Sequence, residues 1–277
     1  MSTSRRRAVV VGVDASDSAR QAVGWSAELA SDTGRALRLV HVAATPVPDG
    51  MLPAWLRELV DTAERQGADP VEVVLVEGGI ADALLERTGP DGFLVVGSYG
   101  EGVRAGMLAG TLALALLARA DCAVAVVRGA APGLPPPRTG PVVVGVDDGP
   151  NADVVLERAA EVAAAHGAHV LAVHTWSDIV VTAGGHSVRR AATPGSELAA
   201  DAAAALEARV ARCRKRRPGV VIESRVVGDT ALRALMEQAA GARAVVVGRC
   251  RGPQIEGMLG STSRGLVEFA PCPVVVV

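Results

Sequence analysis

Two stretches, "AVVVGVDASDSARQAVGWSAELASDTGRALRLVHV" (Ala8–Val42) and "PVVVGVDDGPNADVVLERAAEVAAAHGAHVLAVHT" (Pro141–Thr175), lie 133 residues apart and align without a gap. Val9 to Asp14 matches Val142 to Asp147, Gly34 matches Gly167, and His41 matches His174, all in one register. Further on, "VLVEGGIADALLE" from Val74 answers "SRVVGDTALRALME" from Ser224, and "VAVV" from Val124 answers "VVVV" from Val274, by which point the offset is about 150. The second copy therefore carries an insertion, placed within "SDIVVTAGGHSVRRAATPGSE" (177–197). A period this long indicates two tandem domains with separate cores, since each copy holds enough strand and helix segments to bury its own apolar faces. The Pro- and Gly-rich stretch "RGAAPGLPPPRTGP" (Arg128–Pro141) neither continues a helix nor fits a sheet interior. The reading is a first domain over 1–129, a linker over 130–140 and a second domain over 141–277.

Within the first copy the hydrophobic pattern predicts strands over Ala8–Asp14, Leu37–Val42, Val71–Val76, Phe93–Gly97 and Ala123–Val127. Helices are predicted between them, over Ser18–Ser31, Trp55–Gln66, Ile80–Arg87 and Gly110–Arg119. Five strands alternating with four helices imply a parallel sheet covered on both faces, joined by right-handed crossovers. Of the 277 residues 49% are hydrophobic but only 2% aromatic, so the core must be built from Val, Ala and Leu, the usual filling of buried parallel strands. The fold class expected is α/β, two tandem doubly wound domains of five parallel strands each.

A net charge of −2 supplies no concentrated basic face for nucleic acid or an anionic membrane. The run "RVARCRKRRPG" (Arg209–Gly219) reads as a helix end, where cations complement the dipole. Cys122, Cys213, Cys250 and Cys272 show no C-x-x-C pairing and read as buried small hydrophobes, neither zinc ligands nor a disulfide framework. The basic start runs into an apolar segment too short for a signal sequence, and no run approaches the length of a membrane span. The expectation is a cytoplasmic protein whose partners are small ligands or proteins.

In a doubly wound sheet, ligands bind beyond the carboxyl ends of the strands, where strand order reverses. Asp14 and Ser16 follow the first strand, Val42 ends the second, and Gly97 opens a long loop after the fourth. That loop has the spacing Gly97-x2-Gly100-x9-Gly110-Thr111 and runs straight into the helical "LALALLAR". Glycine removes the Cβ that would hold a backbone away from an anion and permits the positive φ angles that turn successive amides inward. Thr111 falls where a helix begins, beside amides that carry the positive end of its dipole. The loop matches neither the Walker pattern, which requires Gly-Lys-Ser/Thr, nor the dinucleotide G-x-G-x-x-G, which belongs in the first strand-to-helix turn, here "GVDASDS".

The pattern G-x2-G-x9-G-[ST], a first strand ending in aspartate and a closing Val-rich strand resemble the universal stress protein family, and the chain looks like a tandem member. The resemblance implies a Rossmann-like domain that, in the branch bearing the loop, binds ATP, with or without magnesium. The aspartate and the main chain at the end of the second strand would hold adenine and ribose; the glycine loop would hold phosphates. Carried onto this chain, those positions are Asp14, Val42, Gly97, Gly100, Gly110 and Thr111, with Ser16 and Leu112 beside them. Family members often pair through the closing strand, so "VAVV" and "VVVV" are expected to pair within the chain, and a homodimer of chains to add to that.

The second copy departs from the pattern. Asp147, Gly248 and Gly260-Ser261 match Asp14, Gly97 and Gly110-Thr111, but Arg251 stands where Gly100 does, and the spacer to Gly260 has eight residues in place of nine. Arg251 would either strain the turn or supply the cation that the first loop lacks. His41 and His174 read as hydrogen-bonding groups at strand ends, and no catalytic residue is assigned. The function expected is a non-catalytic, nucleotide-dependent sensor in stress response: occupancy orders the glycine loop and the segment Ala44–Arg57, which an unidentified protein partner reads. The alternatives are a slow ATPase or phosphotransferase, for which Asp14 and Glu101 are the available carboxylates, and a nucleotide-free dimerisation scaffold.

Overall fold

The computed structural model describes residues 7–42, 52–100, 110–176, 179–181, 188–190, 195–249 and 259–277. Its first strand, β1 (Val9–Gly12), is a β-branched run that is almost wholly buried, as a central parallel strand requires. The chain then turns into α1 (Asp17–Thr33). Ser16 caps that helix by accepting from the Ala19 amide at 3.1 Å, and Gly34 closes it at φ 61°, a left-handed angle that glycine adopts without steric cost. Gly167 does the same for the second copy, also at φ 61°, so these two aligned glycines are kept for their backbone angle.

The first half continues through β2 (Leu37–Val42), α2 (Ala54–Arg65), β3 (Val71–Val76), α3 (Ile80–Arg87), β4 (Phe93–Gly97), α4 (Thr111–Arg119) and β5 (Ala123–Val127). The second repeats the plan with β6 (Val142–Gly145), α5 (Ala152–Ala165), β7 (Val170–Thr175), α6 (Gly195–Arg216), β10 (Ile222–Val227), α7 (Ala231–Ala239), β11 (Ala244–Val247), α8 (Ser261–Phe269) and β12 (Val274–Val276). The inserted stretch contributes an antiparallel ribbon outside that plan, β8 (Ile179–Val181) with β9 (Val188–Arg190).

The two sheets fuse. Ten strands form one sheet in the order β10-β7-β6-β11-β12-β5-β4-β1-β2-β3. Pairing is parallel within each half, and β5 meets β12 antiparallel through Val126 with Val274, Ala125 with Val275 and Val124 with Val276. All six residues are fully buried. The closing strands therefore pair within the chain, and neither is left as an edge. One apolar layer, under α1, α2, α5 and α6, takes Val9, Val11 and Val144; the other, under α3, α4, α7 and α8, takes Val10 and Val143. The period-2 alternation of the strands divides the two layers.

Polar contacts across the seam repeat the pseudo-symmetry. Glu28 of α1 and Glu161 of α5 are equivalent positions, and each pairs with an arginine from the other half, Arg243 and Arg35 respectively. Glu28 accepts from His166 Nδ1 at 2.7 Å and pairs with Arg243 at 2.7 Å and with Arg138 of the linker at 2.8 Å. Glu161 holds Arg35 from the first half and Arg158 from its own helix. The His166 hydrogen bond, with the charges of His166, Arg243 and Arg138, holds the Glu28 carboxyl below its ordinary 4.5 despite partial burial. Arg128 donates to the Glu268 carbonyl near the end of α8, and Arg249 to the Ala120 and Cys122 carbonyls beyond the end of α4, so each half satisfies helix-end carbonyls of the other. Cys122, Cys213 and Cys272 are buried free thiols, with burial pushing Cys122 up to about 11 and Cys272 to about 12. Cys250 lies outside the described residues.

Candidate functional site

In the first half β1 pairs with β2 on one side and β4 on the other, so strand order reverses between β1 and β4. The crevice beyond that reversal encloses about 440 Å³ and is walled by Gly12–Asp14, Ala19, Ile80, Val96, Gly97, Tyr99, Gly100 and Gly110–Ala113. This is the size range of small-molecule sites.

Asp14 is fixed by its own turn: the Ser16 amide donates to Oδ1 at 3.0 Å, while the Ser16 hydroxyl is engaged beneath it in capping α1. The other oxygen faces the loop, and a Cβ built on Gly100 would stand 2.9 Å from Asp14 Oδ2. Gly97 is equally confined. A Cβ there would run into Ser18, whose carbonyl carbon would lie at 2.8 Å, and the Ser18 hydroxyl accepts from the Tyr99 amide at 3.4 Å. None of Gly97, Gly100, Gly110, Gly248 and Gly260 has a positive φ. The sequence-based expectation of inward-turning, left-handed glycines is therefore corrected at these positions. Gly97 and Gly100 are needed for close approach, and the strain assigned to an arginine at the Gly100 position does not come from handedness.

The loop returns at Gly110, whose amide donates to the Ser98 carbonyl at 3.0 Å. Gly110 caps α4 in an extended conformation and brings no side chain to do so. The amides of Thr111, Leu112 and Ala113 then begin a helix without intrahelical acceptors, carry its positive dipole end, and belong to the crevice wall.

Six of the eight first-half candidates, Asp14, Gly97, Gly100, Gly110, Thr111 and Leu112, thus meet on one wall. Ser16 acts behind Asp14. Val42, paired with Val76 at the end of β2, is not among the wall residues. Sequence reasoning missed Val13, Ile80 and Tyr99. Tyr99 is the chain's single tyrosine, a signal available in a composition so poor in aromatics, and its hydroxyl accepts from the Gly133 amide of the linker at 3.0 Å. His41 Nδ1 bonds the Val13 carbonyl at 3.0 Å, and His174 Nδ1 bonds that of Val146 at 2.7 Å, so both histidines tie adjacent strand ends. Glu101, His186 and most of the segment 44–57 lie outside the described residues.

The second crevice encloses about 350 Å³ between Gly145–Asp148, Val173–Thr175, Ala231, Leu235, Val247, Gly248 and Gly260–Ser263. Asp147 repeats the Asp14 turn, accepting from the Gly149 amide at 2.9 Å. Gly260 caps α8 as Gly110 caps α4. Asp147, Gly248, Gly260 and Ser261 are all on this wall, as is Thr175, the counterpart of Val42; Arg251 lies outside the described residues. A difference appears at Ser263, the counterpart of Ala113, whose hydroxyl donates to the Gly248 carbonyl at 2.9 Å. Among the described residues no cluster of three His, Cys, Asp or Glu is placed to hold a metal, and no helix is long and apolar enough to cross a membrane.

A doubly wound α/β chain with a glycine-capped helix and an aspartate facing each other across the switch point defines a class of small-ligand crevice proteins. Comparison narrows that class. The sequence pattern defining the Universal stress protein family matches twice, over residues 5–128 and 139–277. One universal stress protein of Mycobacterium tuberculosis is 32% identical over 295 residues, covering 98% of this chain and 97% of the relative. A second from that organism is 30% identical over 292 residues, covering 97% and 95%. Among solved structures, a universal stress protein from Archaeoglobus fulgidus superposes with a TM-score of 0.64 at 17% identity over 99% of this chain and 96% of its own. The chain belongs to the universal stress protein family, with two family domains in tandem.

Proposed function

We propose that the N-terminal half binds an adenine nucleotide, ATP with or without magnesium, and that the protein reports its occupancy to a protein partner in stress response without turning the nucleotide over. One observation carries the reading: a cradle that a single Cβ at Gly100 would fill, between the fixed carboxylate of Asp14 and the open amides at the start of α4. Asp14 would accept from ribose hydroxyls. The apolar surface of Val13, Ile80 and Leu112 would take the base. The amides of Gly97, Gly100 and Thr111–Ala113 would hold phosphates, each charge-assisted bond contributing about 1.5–3 kcal/mol. Asp14 is the sole carboxylate among the described wall residues, and its Oδ1 is already bound by a backbone amide, an arrangement suited to orientation more than to activating water. The second crevice is assigned the weaker affinity.

Isothermal titration of ATP, ADP and AMP, with and without magnesium, into the full chain tests this, beside mass spectrometry of ligand released from the purified protein. The expected result is one tight site per chain that prefers phosphorylated adenosine. Absence of saturable heat with every adenine nucleotide overturns it.

A further inference from the structure

A cavity of about 520 Å³ in the seam between the halves shares no wall residue with either crevice. Its donors come from three separate elements: Arg7 before β1, Arg35 before β2 and Arg217 just past α6. Arg217 closes the basic run noted in the sequence, and what distinguishes it is how its neighbours are engaged. Arg209 and Arg212 pair with Asp153, Arg214 with Glu207 and Arg216 with Glu157. Arg217 is on the cavity wall instead.

Charge beneath the cavity is in excess. Arg35 and Arg158 share one buried carboxylate, Glu161, and both lie against the ring of Phe93, at 5.3 and 5.1 Å from its centroid. Arg35 Nη1 is enclosed with no hydrogen-bond partner. Glu161 is itself on the wall, as is Asp32, and Asp91 lies close to Arg35. Acceptors share the same wall: Asp32 and Thr33 end α1 and Gly34 closes it, which brings the helix's negative pole to the cavity. The cavity thus combines guanidinium donors with a carboxylate and a helix C-terminus.

We propose that this cavity is a second ligand site that takes a phosphorylated alcohol, its phosphate held by Arg7 and Arg217 and its hydroxyl groups donating to Asp32. Guanidinium forks match phosphate oxygens in geometry as well as charge. A bare anion uses the donors of such a site and brings nothing to Asp32. A second phosphate would add charge to a wall that already holds the carboxylates Asp32 and Glu161, so the site favours a monophosphate over the ligands assigned to the crevices. This assignment stands independently of nucleotide binding.

The test is titration calorimetry of glycerol 3-phosphate and of inorganic phosphate into the full chain, at matched ionic strength, for the native protein and for Arg217→Ala, Arg7→Ala, Asp32→Ala and Gly100→Arg. Circular dichroism confirms that each variant is folded. The expected result is one saturable site for glycerol 3-phosphate, weakened at least tenfold by Arg217→Ala and by Arg7→Ala and unchanged in Gly100→Arg. Inorganic phosphate should bind more weakly, and Asp32→Ala should remove that preference. No saturable binding, or an affinity unmoved by Arg217→Ala, overturns the site. Loss of binding in Gly100→Arg overturns it by placing the phosphate in the crevice, and equal affinity for the two probes overturns the assignment to a phosphorylated alcohol.

Discussion

The two crevices share a frame and differ in what fills it. Asp14 and Asp147 are held by the same turn, each through an amide two residues on, and Gly110 and Gly260 cap their helices with nearly the same angles. Behind Gly97 stands Ser18, which also receives the Tyr99 amide. Behind Gly248 stands Val155, and a hydroxyl from α8 has taken the Gly248 carbonyl instead. Duplication has preserved the backbone turns while the side chains that press the loop into place have diverged. A crevice of this kind is therefore defined less by its glycines than by the groups packed behind them, within 3 Å of a Cβ at Gly97 and Gly100 and at 3.2 Å at Gly248.

That contrast can be broken most directly at Gly100. Gly100→Arg places bulk where a Cβ already meets Asp14 Oδ2, and it is expected to weaken nucleotide binding to the first half about 100-fold, near 3 kcal/mol, in calorimetric titration. Unchanged affinity would refute close approach as the reason for the glycine. Glu28→Gln tests whether the halves depend on each other. Losing charge-assisted bonds to His166, Arg243 and Arg138 should cost about 2 kcal/mol in urea unfolding at pH 7. Because the Glu28 carboxyl is held below 4.5 in the folded protein, its contribution is complete above that pH and is lost as pH falls through the lowered value. The gap between native protein and variant should narrow on acidification, and a constant gap would show that the carboxylate charge plays no part.

Asp14→Ala is expected to weaken the first site about tenfold, near 1.4 kcal/mol, whereas Asp147→Ala should leave that affinity unchanged. Equal effects would erase the distinction drawn between the halves. The smallest effect belongs to Ser263→Ala, which restores the residue type of the first half and removes the bond to the Gly248 carbonyl. A loss of about 1 kcal/mol in stability, with the first site untouched, sharpens the comparison; no loss would mean that water replaces the hydroxyl.

Much of the architecture was legible because it is local or repeated. The Val-rich runs announced buried strands, and Asp14 with Gly97, Gly100 and Gly110 marked the crevice once the strands were placed. What escaped depends on contacts between residues far apart in the chain. Ser18 behind Gly97, and the linker amide of Gly133 on Tyr99, join segments that no periodicity connects. Left-handed loop glycines were inferred from residue type, yet glycine is required both by unusual angles and by tight space, and only coordinates separate the two. Fusion of the two sheets into one was legible as two matching apolar strands needing cover, while its antiparallel sense was not.

That sense has a geometric outcome. Since β5 and β12 run in opposite directions, the five strands that each half gives to the large sheet point against those of the other, and the two mouths open on opposing rims of that sheet. A ligand that enters one mouth therefore approaches the sheet from the end opposite to the one that serves the other.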